Sequence, residues 1–382
     1  MSRIITTLAV SARALTLTVV CLLLANVTFA QPSGENFYAR NIDLGTDAEL
    51  QSNIFAFDVL LSEDPDNVPA RYLRARAYFE LEKYHRATID LDHIVFLESE
   101  NVDALELRAE SRFALADFDA ALYDYRAVLR LQDNYRNRMN VGLTQLAASR
   151  PDEALQTFRS AQHLAANSAE VHTGMADAFF MKGKAYYRQA LSYYNRALLD
   201  EPHYTHALTN RAKLAYRTGN IDDAVRDLEK VVLMEASYEA YLKLAHCRLE
   251  QGEWADAETL VYEAAKLNDE DAELYYTQGM IETIKGDCES AAANFYVTKG
   301  QDPDYAPYVL ATAEAFIGCK NYDEAAPLLA EYLQMVGEDD YAQKLLADCW
   351  VQFEAEIADP DAANAEERTS PTDQFSDDVF GN

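Results

Sequence analysis

The sequence predicts an all-α fold, a right-handed superhelical solenoid of about eight helix-turn-helix units with a helical cap at each end. Three observations predict it. Ala87, Ala121, Ala154, Ala190, Ala224, Ala257, Ala291 and Ala325 recur at intervals of 34, 33, 36, 34, 33, 34 and 34 residues, and a beat that regular marks stacked repeats. A second small residue precedes the beat by twelve positions, as Ala75, Ala109, Gly142, Ala212, Ala245, Gly279 and Ala313; the fourth unit joins with Ala176 once two inserted residues are allowed. A large apolar residue follows the beat by four, as Leu91, Tyr125, Phe158, Tyr194, Leu228, Val261, Phe295 and Leu329. Residues four apart share a helix face. Small residues let two helices approach closely, and the large ones fill the space alongside.

The chain opens with "MSRIITTLAVSARALTLTVVCLLLANVTFA", an apolar run whose only charges are Arg3 and Arg13. That is the pattern of a secretory signal peptide over 1–30, cleaved after Ala30, and its rival is a retained membrane anchor. Cys21 follows Val20 rather than a small residue, and the apolar run continues past it, which argues against a lipobox. No later stretch is long and apolar enough to span a bilayer. Residues 31–47 are polar, and 48–62 read as an amphipathic helix capping the first repeat; together 31–67 form the N-terminal segment.

Residues 68–337 carry the eight units. Within each, a turn separates the small residue from the beat, as in "RTGNIDDA", "EQGEWADA", "IKGDCESA" and "GCKNYDEA". Glycine ends the first helix, and an acidic first turn opens the second. Pro65, Pro202 and Pro303 follow second helices where the helix must stop.

This pattern resembles the tetratricopeptide repeat family, which places small residues at repeat positions 8 and 20 and aromatic or aliphatic residues at 11 and 24. Tyr78, Met181 or Phe179, and Phe316 lie near position 11, and Pro202 and Pro303 take the closing proline. The chain departs from the family in lacking the tryptophan at position 4, in carrying Arg74, Arg108 and Arg211 at position 7, and in the fourth-unit insertion. The resemblance implies a binding protein rather than an enzyme, with the first helices lining a concave groove. Its groove positions fall on Tyr72, Arg76, Phe79, Glu80, Glu106, Glu110, Phe113, Arg136, Met139, Leu143, His206, Lys213, Tyr216, Arg217, Leu242, His246, Tyr276 and Met280. Aromatics and Met give adaptable apolar area, and the charges could set register on a peptide. No asparagine joins Lys213 and Arg217 at the matching neighbouring positions, so a carboxylate clamp is not expected.

Position counting also sets expectations for the cysteines left after cleavage. Cys288 opens a second helix at position 17, and Cys319 ends the next first helix at position 14. These ends should meet, which predicts a Cys288–Cys319 disulfide in an exported chain. Cys247 and Cys349 share position 10 about three units apart and read as buried thiols. The 338–357 stretch is a capping helix, with Leu346, Ala347 and Trp350 where positions 7, 8 and 11 of a ninth unit would lie. Solenoids need such caps, and an apolar patch there would support self-association. Residues 358–382, with seven acids and one arginine, read as a disordered tail.

The net charge is −31, and about −33 without the leader's two arginines. That argues against nucleic acid, whose phosphates would be repelled. Two readings of the charge stay open: capture of a basic partner, or a surface that merely keeps the chain soluble. No zinc-protease, P-loop, dinucleotide or nucleophile-elbow motif occurs. The acidic turns 63–67 and 268–273 lack the pattern of a calcium loop and read as helix caps. His203 and His206 are too few for a zinc site, and His85 and His93, with Asp90 and Asp92 nearby, read as solvated. Tyr186, Tyr187, Tyr193 and Tyr194 surround the insertion and read as packing. No metal, cofactor or catalytic residue is expected. The expected function is a non-enzymatic scaffold or adaptor of the cell envelope, exported to the periplasm or beyond, holding a protein or peptide partner. The alternative is a recruiting or regulatory subunit of an envelope enzyme or export complex.

Overall fold

The computed structural model describes residues 44–302 and 305–358. The leader, Cys21, Pro303 and the acidic stretch beyond Ala358 lie outside the described residues. Among the described residues there are eighteen α-helices and one 3-10 turn, and no strand. The chain divides into two compact units at Asp200 and Glu201.

In the first unit, α1 (Asp47–Glu63) caps four hairpins. These are α2 (Val68–Glu80) with α3 (Tyr84–Leu97), α4 (Val102–Ala114) with α5 (Phe118–Leu131), α6 (Tyr135–Ala147) with α7 (Pro151–Gln162), and α8 (Ala169–Met181) with α9 (Tyr187–Asp200). The second unit repeats the plan with α10 (Thr205–Arg217) and α11 (Ile221–Met234), α12 (Tyr238–Glu250) and α13 (Trp254–Ala265), α14 (Ala272–Lys285) and α15 (Cys288–Gln301), α16 (Ala306–Gly318) and α17 (Tyr322–Val336). It ends in α18 (Asp340–Ala358).

Burial follows the alanine beat. All eight beat alanines have no exposed surface, and the eight large residues four positions on are buried with them. The small residues twelve before are small for a steric reason. A methyl built on Gly142 would lie 2.4 Å from Cε1 of Phe158, and one on Gly279 would lie 2.6 Å from Cε1 of Phe295. Gly174, which the beat does not pick out, is held the same way from the other side, its methyl falling 2.7 Å from Phe158 Cζ.

Each turn places one residue in the left-handed region, which only glycine enters without strain. Gly219, Gly252 and Gly286 take it at φ 75–78°, but Glu82, Ala116, Ser149 and Lys320 occupy it elsewhere at φ 57–60°. In the last hairpin the turn residue is therefore Lys320, and Gly318 stays helical. Asn67, Asn101, Asn134, Ser168, Ser237 and Asp271 each accept a backbone N–H at a helix start, so both acidic turns do end in caps. The fourth-unit insertion forms the 3-10 turn Lys184–Tyr186. Its tyrosines pack: Tyr186 and Tyr193 stack on Phe179, Tyr187 stacks on Phe180, and the Tyr194 hydroxyl donates to Asp177 at 2.6 Å.

The arginines at position 7 anchor the hairpins. Arg74 grips Asp90 with Nε and Nη2 at 2.8 and 2.6 Å, Arg108 grips Asp124 at 2.9 and 2.7 Å, and Arg211 grips Asp227 at 2.7 Å through both. Burial pulls the Arg108 guanidinium down, but hydrogen bonding and charge from Asp124 outweigh it and hold the group above its ordinary range. Asp90 is thus buried because it closes this clasp. Of its neighbours, His85 is exposed, and His93 meets Asp66 at 2.7 Å.

The α18 cap keeps the repeat register. Ala342 and Cys349 are buried, as Ala240 and Cys247 are at the matching positions of α12. Ala347 and Trp350, at positions 8 and 11 of the ninth-unit register, are exposed. Their face would pack on a second helix, and none follows among the described residues. Burial raises both the Cys247 and the Cys349 thiols, Cys247 to about 12. Cys288 and Cys319 are half-buried and not bridged to each other, so the expected disulfide is not formed. Register puts two helix ends side by side but does not aim the Cβ vectors, and a bridge needs both.

Candidate protein-binding surfaces

The expected groove residues separate into two groups. Tyr72 packs in the core with Val68, Leu91 and Ile94, and Met139 packs with Phe158, Val171 and Met175. Met280 and Leu242 belong to the second unit's core, and Glu106 and His246 are buried as well. These are corrections to the groove assignment. Adjacent first helices, such as α6 with α8 and α12 with α14, touch one another and cover these positions.

The other group stays accessible. In the first unit, Phe113 is 39% exposed with its ring edge against Phe118 at 5.2 Å. Phe79 is half-buried, 5.3 Å from Tyr84. Arg76 donates to Glu80 at 2.9 Å, and Arg136 is exposed. In the second unit, Lys213 is half-buried and Arg217 exposed, and the Tyr216 hydroxyl donates to Glu250 at 3.0 Å. Tyr276 is half-buried between the rings of Phe295, at 5.6 Å, and Tyr308, at 5.2 Å.

Beside Tyr276 lies a polar cluster that counting could not resolve. His246 on α12 is 2% exposed, and its Nε2 is 2.7 Å from Thr277 Oγ1. That hydroxyl donates its own proton to the Glu273 carbonyl at 2.7 Å, so Nε2 must be the donor to it. Nδ1 then presents a lone pair with no hydrogen-bond partner. The Glu273 carboxylate stands 3.9 Å away. Burial holds His246 down to about 4, keeping it neutral at pH 7. Burial, then the charge of Asp271, then that of Glu239, raise the Glu273 carboxyl, with Lys243 opposing. Burial and the charge of Glu273 raise the Tyr308 hydroxyl. Across the same unit, burial raises Glu314 although Tyr341 donates to it at 2.8 Å.

Among the described residues, no three His, Cys, Asp or Glu side chains gather as metal ligands, and no helix is long and apolar enough to cross a membrane. Stacked helix hairpins with small residues at the crossings and accessible aromatics on the first helices define a helical-repeat binding protein. The tetratricopeptide repeat model matches residues 100–170, 173–240, 209–273 and 242–306, and the chain belongs to that family. The sequence is similar to a DnaJ homolog subfamily C member 7 homolog of Dictyostelium discoideum, 24% identical over 226 residues, covering 58% of this chain and 38% of that protein. It is similar also to DnaJ protein P58IPK homolog A of Oryza sativa subsp. japonica, 25% identical over 190 residues, covering 45% and 39%. The chain spans about two fifths of the length of these relatives. Its fold is like that of the APC/C hetero-tetramer Cut9–Hcn1, with TM-score 0.55 and 16% identity, covering 79% of this chain and 63% of that one. It is also like PilF of Pseudomonas aeruginosa, with TM-score 0.50 and 16% identity, covering 56% and 97%. Proteins of this family mediate protein–protein interactions, and nothing in the fold shows an enzymatic activity.

Proposed function

We propose that the chain is a non-enzymatic scaffold or adaptor of the cell envelope, exported by its apolar leader, which holds a protein or peptide partner on the first-helix faces of its repeats. The observation that carries the binding role is the set of aromatics left accessible on those helices, Phe79 and Phe113 in the first unit and Tyr216 and Tyr276 in the second. Phe79, Tyr216 and Tyr276 pack only partly against the core and keep ring surface accessible, and aromatic anchors dominate protein interfaces. The leader "MSRIITTLAVSARALTLTVVCLLLANVTFA" supports export. The net charge of −31 favours a basic partner.

The test is a crosslinked pull-down from an envelope fraction with the wild-type chain and two variants. F79A/F113A removes the first unit's rings, and Y216A/Y276A the second's. A partner lost with either pair supports the reading and assigns the unit. Equal capture by all three moves binding off the first-helix faces. Finding the chain only in the cytoplasmic fraction, with its leader uncleaved, would sink the export reading alone.

A further inference from the structure

We propose that the Nδ1 edge of His246 and the carboxylate of Glu273 form a receptor for a primary ammonium group, the side chain of a lysine in a protein partner. This rests on the reading of the chain as a protein-binding scaffold and specifies one contact within it. His246 is 2% exposed, and its Nδ1 lone pair has no partner, while Nε2 is committed to Thr277 at 2.7 Å. The nearest charged group is itself an acceptor, Glu273 Oε1 at 3.9 Å, and two acceptors cannot satisfy each other. An unmade hydrogen bond at a buried polar atom is unfavourable, and a donor between the two groups removes that strain.

The spacing selects the donor. A single nitrogen about 2.8 Å from both atoms would see them about 90° apart, close to the tetrahedral spread of an ammonium's protons. A guanidinium directs its proton pairs in parallel and suits the two oxygens of one carboxylate instead. Asp271 adds negative charge beside Glu273, while Glu239 is paired with Lys243, whose own charge also acts on Glu273. Burial keeps the imidazole neutral, so Nδ1 accepts rather than repels. Nδ1 has no open surface, so the Glu273 side chain, which is 44% exposed, swings outward to admit the ammonium and then closes back onto it.

The test uses the full chain with ring-labelled histidine and follows the seven imidazole Cε1–H resonances by NMR, with His246 assigned from H246Q. The probes are three N-acetylated, C-amidated peptides: Gly-Ser-Lys-Gly-Ser, its arginine analogue and its norleucine analogue, at physiological salt. The expected result is a saturable shift of His246 with the lysine peptide and a weaker one with arginine. Glu273→Gln should lower the affinity about tenfold, and Glu289→Gln, the same charge loss at an exposed position of α15, should leave it unchanged. A His246 resonance unmoved by the lysine peptide overturns the proposal. So does equal binding of the norleucine peptide, or an equal loss with Glu289→Gln. A partner captured through the first helices that binds Glu273→Gln as well as wild type overturns this receptor and leaves the scaffold reading standing.

Discussion

The ring of Phe158 fills the space that a side chain at Gly142 would need: a methyl there would lie 2.4 Å from Cε1. Gly174 meets the same ring from the next hairpin, at 2.7 Å from Cζ. Phe158 is thus a wedge between two first helices, and both must be bare where it passes. Gly142→Ala is expected to destabilise the chain by about 2 kcal/mol, because a packed ring has nowhere to move. Gly142→Ala with Phe158→Leu should recover more than half of that loss, since leucine vacates the contact. Urea unfolding of the two single variants and the double variant checks this. Additive losses would mean that the two sites are independent and the wedge is wrong.

The left-handed turn residues offer a cleaner test of backbone strain. Glu82, Ala116, Ser149 and Lys320 hold φ values that Gly219 and Gly252 take without a Cβ. Space is not the issue, because a methyl built on Gly219 or Gly252 would touch nothing within 4 Å. Ala116→Gly is therefore expected to stabilise by about 0.5–1 kcal/mol, the relief of the left-handed strain less the extra freedom glycine gives the unfolded chain. Gly219→Ala should destabilise by a similar amount. Thermal melts decide both, and a lower Tm for Ala116→Gly would show that the turn conformation carries no strain.

The clasp between Arg108 and Asp124 is buried, with the two side chains 9% and 0% exposed. Removing one partner strands the other. Asp124→Ala leaves Arg108 and Arg112 without the carboxylate both of them grip, and a loss of about 3–5 kcal/mol is expected. Replacing both ends of the clasp, as Arg108→Met with Asp124→Leu, should come within about 1 kcal/mol of wild type, because an apolar pair needs no hydrogen bonds and Arg112, 20% exposed, keeps Asp92 at 3.0 Å. Chemical denaturation separates the two outcomes. A mild effect of Asp124→Ala alone would show that water reaches the clasp.

The helix hairpins were legible because the beat alanines admit no larger side chain, and residues with no exposed surface leave the strongest trace in a sequence. The clasps were legible too, since Arg74 and Asp90, Arg108 and Asp124, and Arg211 and Asp227 all stand sixteen apart. The binding face was only partly legible. Counting positions puts Phe113 and Tyr72 on the same side of their helices, but Phe113 is accessible and Tyr72 is 2% exposed. What separates them is how far each neighbouring first helix leans across, which is a tertiary quantity. The bare Nδ1 of His246 could not be read at all, because it follows from the direction in which the Thr277 hydroxyl donates.

His246 gives a pH dependence whose sign is fixed by its burial. Its folded value is depressed from 6.5 to about 4. A base with a depressed value contributes stability that is fully present above the unfolded value and is lost as pH falls toward the folded one. The window is therefore pH 6.5 down to about 4, and the shift corresponds to about 3 kcal/mol at most. Burial lowers His172 as well, against the opposing pull of Asp200, so it loses stability in the same direction. Glu273 acts in the opposite sense. Its raised value favours the protonated acid, so its contribution is present below 4.5 and lost as pH rises through the folded value. Exposed, lowered carboxyls such as Asp133 and Asp287 also lose stability in acid. Subtracting the melting curve of His246→Gln from that of wild type removes the groups common to both. The difference in Tm is expected to be largest above pH 6.5 and to shrink steadily toward pH 4, because glutamine has no proton to gain. Parallel curves across that range would mean that His246 titrates in the folded chain as it does in water, and that its imidazole is not sealed against solvent.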